Sequence, residues 1–503
     1  MAGEKLPRLV YNPVSVVGAS LALVCGLAML TLLVVGSLVE PATNPYFGIF
    51  IYAVLPVFLL LGLALVPLGM WRERRRRRRE GASGPRWPAI DLNRPAHRNA
   101  LLIFAVGTVL FLVVGSAGTY GAYHYSESVQ FCGTTCHAVM EPEYTTYQAS
   151  PHARVACAEC HVGSGASFYV KSKLSGAYQV YAAAFNKYPR PIPTPIESLR
   201  PAQDTCEHCH WPQHIYGAQQ KQFNHYMYDD ANTHWPINLL IKTGGGDPQT
   251  GQTAGIHWHM NIGVRVEYIA RDSERQVIPW VRVTDKRTGR VTVYQTSENP
   301  LTEAEVAAAK PRIMDCMDCH NRPSHIFRSP DETVDDTLLT GKTPADLPGV
   351  KGALVEAMAA EYASKDEAMR EIANRVTAHY RKERPEIAAQ RVGDLDRAIA
   401  AAQEAHSRSI FPAMKVSWSA YPSNIGHFRS VGCMRCHDGK MASAEGVKLT
   451  NDCRACHTIL AQGSGERAQV AATAEGLDFE HPEDIGDTWR DMGCYECHTG
   501  VKP

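Results

Sequence analysis

Fourteen of the 15 cysteines in this chain fall into seven close pairs, and a histidine follows each pair directly. Six pairs read C-x-x-C-H: Cys157/Cys160/His161, Cys206/Cys209/His210, Cys316/Cys319/His320, Cys433/Cys436/His437, Cys453/Cys456/His457 and Cys494/Cys497/His498. The first pair is wider by one residue, Cys132-Gly-Thr-Thr-Cys136-His137. Such spacing suits covalent haem attachment. Two intervening residues set both sulfurs along one porphyrin edge for thioether bonds to the vinyl groups, and the adjacent histidine then lies under the iron. The expectation is seven covalently attached c-type haems. Other readings account for less. Cys433-x2-Cys436-x16-Cys453-x2-Cys456 has zinc-ribbon spacing, but zinc has no use for a histidine after every second cysteine, so no zinc is expected. Disulfides suit an extracytoplasmic chain yet leave seven histidines unexplained. Only at Cys132–Cys136 does an ordinary disulfide stand as the alternative. Cys25, inside an apolar run, reads as a packing residue.

Seven irons accept up to seven further axial ligands, and fourteen histidines lie outside the motifs. The candidates near motifs or in compact polar–aromatic contexts are His152, His225, His257 or His259 (in GIHWHM), His325, His427 and His481. Met140, three residues after His137, is a seventh. His124, His208, His214, His234, His379 and His406 form a reserve.

The elements that carry these ligands follow three apolar stretches, 14–39, 47–70 and 100–121, each long enough to span a bilayer. The first is too long for a cleaved signal peptide and shows no A-x-A site, so it reads as an uncleaved anchor. Pro41 and Pro45 occupy the turn between the first two stretches. Lys5 and Arg8 precede the first, and the loop 71–98, with WRERRRRRRE at its start and Arg86, Arg94, His97 and Arg98 beyond, joins the second to the third. Basic loops stay cytoplasmic, so three spans place everything after about residue 122 outside. The expected location is a bacterial cytoplasmic (inner) membrane, multi-pass, with the haem region facing the periplasm. Lys plus Arg equals Asp plus Glu at 51 each, so net charge implies no nucleic-acid partner.

The expected fold class is therefore a membrane-anchored multihaem cytochrome. Three transmembrane helices precede a mainly helical or irregular, haem-packed region with a small antiparallel β insertion. The expected divisions are an anchor at 1–121, a three-haem module at 122–225, a β-rich insertion at 226–310, a fourth haem segment at 311–348, a helical segment at 349–410 and a C-terminal three-haem module at 411–503. The insertion rests on the β-branched runs VRVEYIA, VIPWVRVT and RVTVYQT. Residues 349–408 read as a helical pair broken near Pro385.

From about 100 to 215 the chain resembles the NapC/NirT family of membrane-anchored quinol dehydrogenases, which includes NrfH-type cytochromes. The matching features are an apolar anchor, FCGTTCHAVM, SPHARVACAECHV, a lysine-bearing stretch and DTCEHCH. The resemblance implies electrons taken from membrane quinol and passed through haems to a periplasmic redox protein or reductase. It implies Met140 as a ligand to the first haem and Lys173 beside the quinol, with Lys171 as its neighbour. The chain departs from the family in its three spans, its wider first motif and its β insertion. It also lacks any carboxylate from 162 to 196, where the NrfH type places one beside the first haem; Glu141 or Glu143 could take that role. The rival functions are a terminal multihaem reductase of a small oxyanion or sulfur compound, and an electron-wiring subunit of a larger membrane complex. A reductase needs an iron with one open axial position, and the supply of ligand candidates weighs against it.

Overall fold

The computed structural model describes residues 9–38, 50–81, 90–135, 137–163, 166–196, 201–210, 217–244 and 255–503. Lys5, Arg8, Pro41, Pro45, Arg86, Cys136 and His214 lie outside the described residues, as does the side chain of His137. The chain forms two compact units, residues 1–137 with 156–158, and residues 138–155 with 159–503.

The first unit holds three long apolar helices, α1 (Pro13–Leu38), α2 (Leu55–Arg79, entered through a π-helical turn at Phe50–Val54) and α3 (Pro95–Glu127). All three are long and apolar enough to cross a membrane. Pro56 and Pro95 sit in the first turns of α2 and α3, where a missing N–H costs nothing. α2 runs on past Met70 and ends in Arg76–Arg79, cations that suit the negative end of a helix. Small residues let α1 and α2 approach closely: a Cβ on Gly18 would come within 2.7 Å of the Gly62 carbonyl oxygen. Ser15 Oγ donates to the Val66 carbonyl at 2.8 Å, joining the same pair of helices. Cys25 is buried with Met29, Leu55 and Val114, as its apolar context predicts.

The second unit begins with α4 (His137–Gln148) and α5 (Ala166–Ala184). Two antiparallel sheets follow. One has the order β1-β2-β8-β9 (Gln219–Tyr226, His234–Ile241, His457–Gln462, Gln469–Val470). The other has the order β6-β3-β4-β5-β7 (Arg312–Ile313, Val264–Ile269, Trp280–Asp285, Val291–Thr296, Met441–Ser443). The three β-branched runs are indeed strands, packed around Val266, Tyr268, Ile278, Val281 and Met441. The hairpin between β4 and β5 closes at Gly289, whose φ of +71° favours glycine. Both sheets, however, draw strands from beyond 226–310. The polar β1 (QQKQFNHY) carries no apolar alternation, so pairing with β2 rather than propensity makes it a strand.

The helical segment starts earlier than expected and is a bundle rather than a pair: α6 (Pro330–Leu339), α7 (Val350–Ala359), α8 (Lys365–Glu383), α9 (Pro385–Gln390) and α10 (Val392–Ser409). Pro385 does break the run, between α8 and α9. Ala368, Ile372, Val376 and Tyr380 recur every four residues along one face of α8 and are fully buried. Val334, Leu354, Met358, Ala398 and Ala402 complete that core.

Candidate haem-binding sites

At five motifs the chain makes a short helical turn: Cys157–His161, Cys316–Cys319, Gly432–Arg435, Cys453–Ala455 and Cys494–Cys497. In four motifs, three of these and that of His210, the histidine N–H returns to the carbonyl of the first cysteine, at 2.7 Å for His210, 2.8 Å for His320, 3.1 Å for His437 and 2.8 Å for His498. One turn thus holds two sulfurs and an imidazole in fixed relation, as covalent haem attachment requires. No disulfide joins the described cysteines.

Six motif histidines each face a second histidine. The ring centroids lie 6.0 Å apart for His210 with His152, 6.4 Å for His161 with His325, 6.2 Å for His320 with His257, 5.9 Å for His437 with His259, 6.1 Å for His457 with His427, and 6.1 Å for His498 with His481. An imidazole nitrogen sits about 2 Å from a first-row metal and about 1.1 Å from its own ring centre, so two imidazoles on one iron place their centroids about 6.2 Å apart. The observed spacings match, and the residues fit the group.

The ring nitrogens agree. Nδ1 of the second histidine donates to a backbone carbonyl in four pairs: His152 to Pro323 at 3.2 Å, His257 to Thr243 at 2.7 Å, His259 to Ile256 at 2.7 Å and His325 to Glu143 at 3.0 Å, whereas His481 Nδ1 lies 2.8 Å from the Glu483 carbonyl and 3.2 Å from the Glu483 N–H. In those four the bond puts the proton on Nδ1 and leaves Nε2 with its lone pair for a metal. Burial holds the pKa values of His161, His259, His320, His427 and His457 below the ordinary imidazole value, and those of His325 and His498 down at about 4. Neutral imidazole is the ligating form.

Two placements depart from the sequence reading. His257 and His259 were alternatives, yet both face a motif histidine. They share the tight turn Ile256–Met260, from which residues two apart project to different sides. His225, expected as a ligand, lies 5.0 Å from the Phe428 ring, with Nδ1 3.8 Å from Asp335 Oδ2. Strand β1 carries it toward a buried ion pair, Lys351–Asp335 at 2.6 Å, rather than to a motif histidine. Cys209, the second cysteine of the third motif, is exposed, whereas its partner Cys206 is half-buried. The cause is local: the short helix Ala202–Cys206 ends at the first cysteine. Cys209 follows in a tight turn, its N–H donating to the Cys206 carbonyl at 3.1 Å. Cys453 and Cys497 are exposed in the same way. Backbone geometry, not enclosure, is what keeps these three cysteines in register with their motif histidines.

Neighbouring motifs lie near one another in sequence order. Cys157 hydrogen-bonds Cys132, and Cys206 hydrogen-bonds Cys316 and lies within electrostatic reach of Cys160. Cys319 lies within reach of Cys433, Cys456 of Cys433, and Cys494 of Cys453. The fourth and fifth motifs are also joined through their middle residues, because Arg435 Nη2 donates to the Asp318 carbonyl at 2.7 Å. The buried Asp318 side chain in turn accepts from Arg312 Nε at 2.9 Å and Tyr268 Oη at 2.6 Å, fixing that motif to the β3 sheet. Sequence reasoning passed over both residues; charged side chains between paired cysteines were the available signal.

At the first site, Met140 is half-buried on the first turn of α4. Glu141 ion-pairs with Lys365 at 3.1 Å. Glu143 Oε2 lies 3.4 Å from His325 Nδ1, with Arg322 Nη1 3.9 Å from its other oxygen; burial pushes the Glu143 pKa up. Lys173 is held on α5 with its ammonium 4.7 Å from the Tyr169 ring centre.

A membrane-spanning anchor joined to this array of attachment turns and paired imidazoles defines a membrane-anchored multihaem c-type cytochrome. Residues 94–192 match the NapC/NirT cytochrome c family, N-terminal region. The cytochrome c-type protein ImcH of Geobacter sulfurreducens is 43% identical over 499 residues, covering 99% of this chain and 97% of that protein. The chain belongs to this family of multihaem electron-transport cytochromes. No solved structure matches it.

Proposed function

We propose that the protein is a heptahaem cytochrome of the bacterial inner membrane that oxidises membrane quinol and delivers the electrons to a periplasmic redox partner. The six histidine pairs carry the reading. Each supplies both axial ligands of one iron, which leaves none of those six sites open for a small oxyanion and weighs against a terminal reductase. The assignments are His325 to the second motif, His152 to the third, His257 to the fourth, His259 to the fifth, His427 to the sixth and His481 to the seventh. Met140 serves the first, on the strength of the family resemblance.

The bound haems supply the one-electron carriers. The chain supplies their order, and the proximity of successive motifs supports a path that follows the sequence from Cys132 to Cys497. Quinol enters beside the first motif, the one nearest the third span in sequence, near Met140 and Lys173. Oxidation releases protons as well as electrons, so a polar group must orient or receive them. Lys173 takes that role by resemblance. Of the two carboxylates, Glu141 is the more accessible and is held by Lys365, whereas Glu143 faces His325. The Arg-rich end of α2 supports a cytoplasmic 71–98 loop and a periplasmic haem region.

The testing experiment adds a reduced quinol analogue to the purified protein and follows the haem absorption bands. Reduction of the haems supports the reading; bands that respond only to dithionite overturn it. Intact mass after acid–acetone extraction reports the count, and six retained haems would remove the Cys132–Cys136 site.

A further inference from the structure

Helix α5 turns its bulky apolar side to water. At about 100° per residue, Val170, Leu174, Tyr178 and Tyr181 fall within an arc of about 80°, and Phe185 continues it just past the helix end. All are exposed: Leu174 by 70%, Tyr178 by 66%, Phe185 by 65%. Ala182 is buried, and the half-buried positions away from the stripe carry small residues, Ser172, Gly176 and Ala183. This inverts the pattern of a helix that packs its apolar stripe on a soluble core.

The margins of the stripe are basic. Lys171 and Lys173 flank it on opposite sides, and Lys187 and Arg190 follow. Each cation is close to an aromatic ring: Lys171 to Phe168 at 5.9 Å, Lys173 to Tyr169 at 4.7 Å, Lys187 to Tyr181 at 4.9 Å and Arg190 to Tyr188 at 4.9 Å. Between residues 162 and 196 there is no Asp or Glu. Four cations in a stretch of sequence free of Asp and Glu, set beside an exposed row of aliphatic and aromatic side chains, match the surface of an anionic bilayer: acyl chains take the stripe, and the cations extend to headgroup phosphates. The chain is already tethered to a membrane by a span ending at Glu127, so α5 meets lipid at high effective concentration.

We propose that α5 is an interfacial membrane helix, seated in the outer surface of an anionic phospholipid bilayer through Val170, Leu174, Tyr178, Tyr181 and Phe185. The proposal goes beyond quinol oxidation and stands without it.

The test uses full-length, haem-loaded protein in phosphatidylglycerol nanodiscs, with or without bromine on the acyl chains. Leu174→Cys, Tyr178→Cys and Gln179→Cys variants carry bimane; Gln179 is exposed on the side away from the stripe. Comparing one position in the two lipids cancels quenching by haem. Bromine within reach should lower emission at 174 and 178 about twofold and leave 179 unchanged. Emission at 174 and 178 that ignores bromine would overturn the proposal and leave the face to a protein partner. Equal quenching at all three positions would overturn the interfacial orientation. In phosphatidylcholine discs the quenching should weaken; undiminished quenching would overturn the preference for anionic lipid.

Discussion

His257 and His259 stand two residues apart, yet their rings meet their motif partners at opposite angles. His257 lies at 2° to His320, and His259 at 86° to His437. Parallel imidazole planes act on the same iron dπ orbital and split the pair. Crossed planes act on both orbitals and leave them nearly equal in energy. The oxidised protein should therefore show two kinds of low-spin electron paramagnetic resonance signal, a rhombic one from the parallel site and a strongly anisotropic one from the crossed site. His427–His457 at 20° adds to the first kind, and His152–His210 at 77° to the second. Replacing His257 with Ala should turn one haem high-spin and remove rhombic intensity. Replacing His259 with Ala should do the same to the anisotropic intensity. With seven haems, each loss is about 14% of the low-spin total, and the double variant loses about twice that. Quantified spectra of the three variants measure it. If both single variants remove the same signal, or if neither yields high-spin iron, the assignment of these two histidines fails.

Replacing Lys173 or Met140 with Leu should slow haem reduction by quinol and leave reduction by dithionite intact. Stopped-flow absorbance compares the two, and parent-like rates in both variants place the quinol site elsewhere. A reporter fused after Pro503 should be active only outside the cytoplasm; cytoplasmic activity refutes the orientation. His406 is fully buried in the helical bundle, neither ring nitrogen has a hydrogen-bond partner, and burial lowers its pKa from 6.5 to about 4. The unfolded chain therefore binds a proton that the folded one refuses, so bundle stability is full above pH 6.5 and falls as pH drops toward 4, by up to ~3 kcal/mol. Hydrogen exchange of residues 330–409 measures this, and His406→Leu should flatten the pH dependence; an unchanged slope refutes it.

Several features were legible in the sequence because their signals are local. Covalent attachment needs two cysteines and a histidine within one turn, so each motif declares itself from a few residues. Bilayer spans need only a long apolar run: α1 ends within a residue of the run that predicts it, while α2 and α3 run on past theirs to Arg79 and Glu127. The β-branched strands β3, β4 and β5 and the break at Pro385 are of the same kind. The second ligands are not local. His325 reaches back to His161 and His152 forward to His210, across separations at which no spacing rule operates. Composition cannot distinguish His225 from His481, because both are histidines in polar–aromatic surroundings; only the path of β1 past Asp335 sends the first to an ion pair. Nor does a motif reveal how much chain covers it: Cys209 and Cys319 hold the same place in identical spacing, yet only Cys209 is exposed. Strands β7 and β8 likewise join sheets begun some two hundred residues earlier, through backbone pairing that carries no side-chain signature. Attachment chemistry is thus written in short motifs, while ligand pairing and motif order depend on which distant segments the tertiary structure brings within about 6 Å of each other.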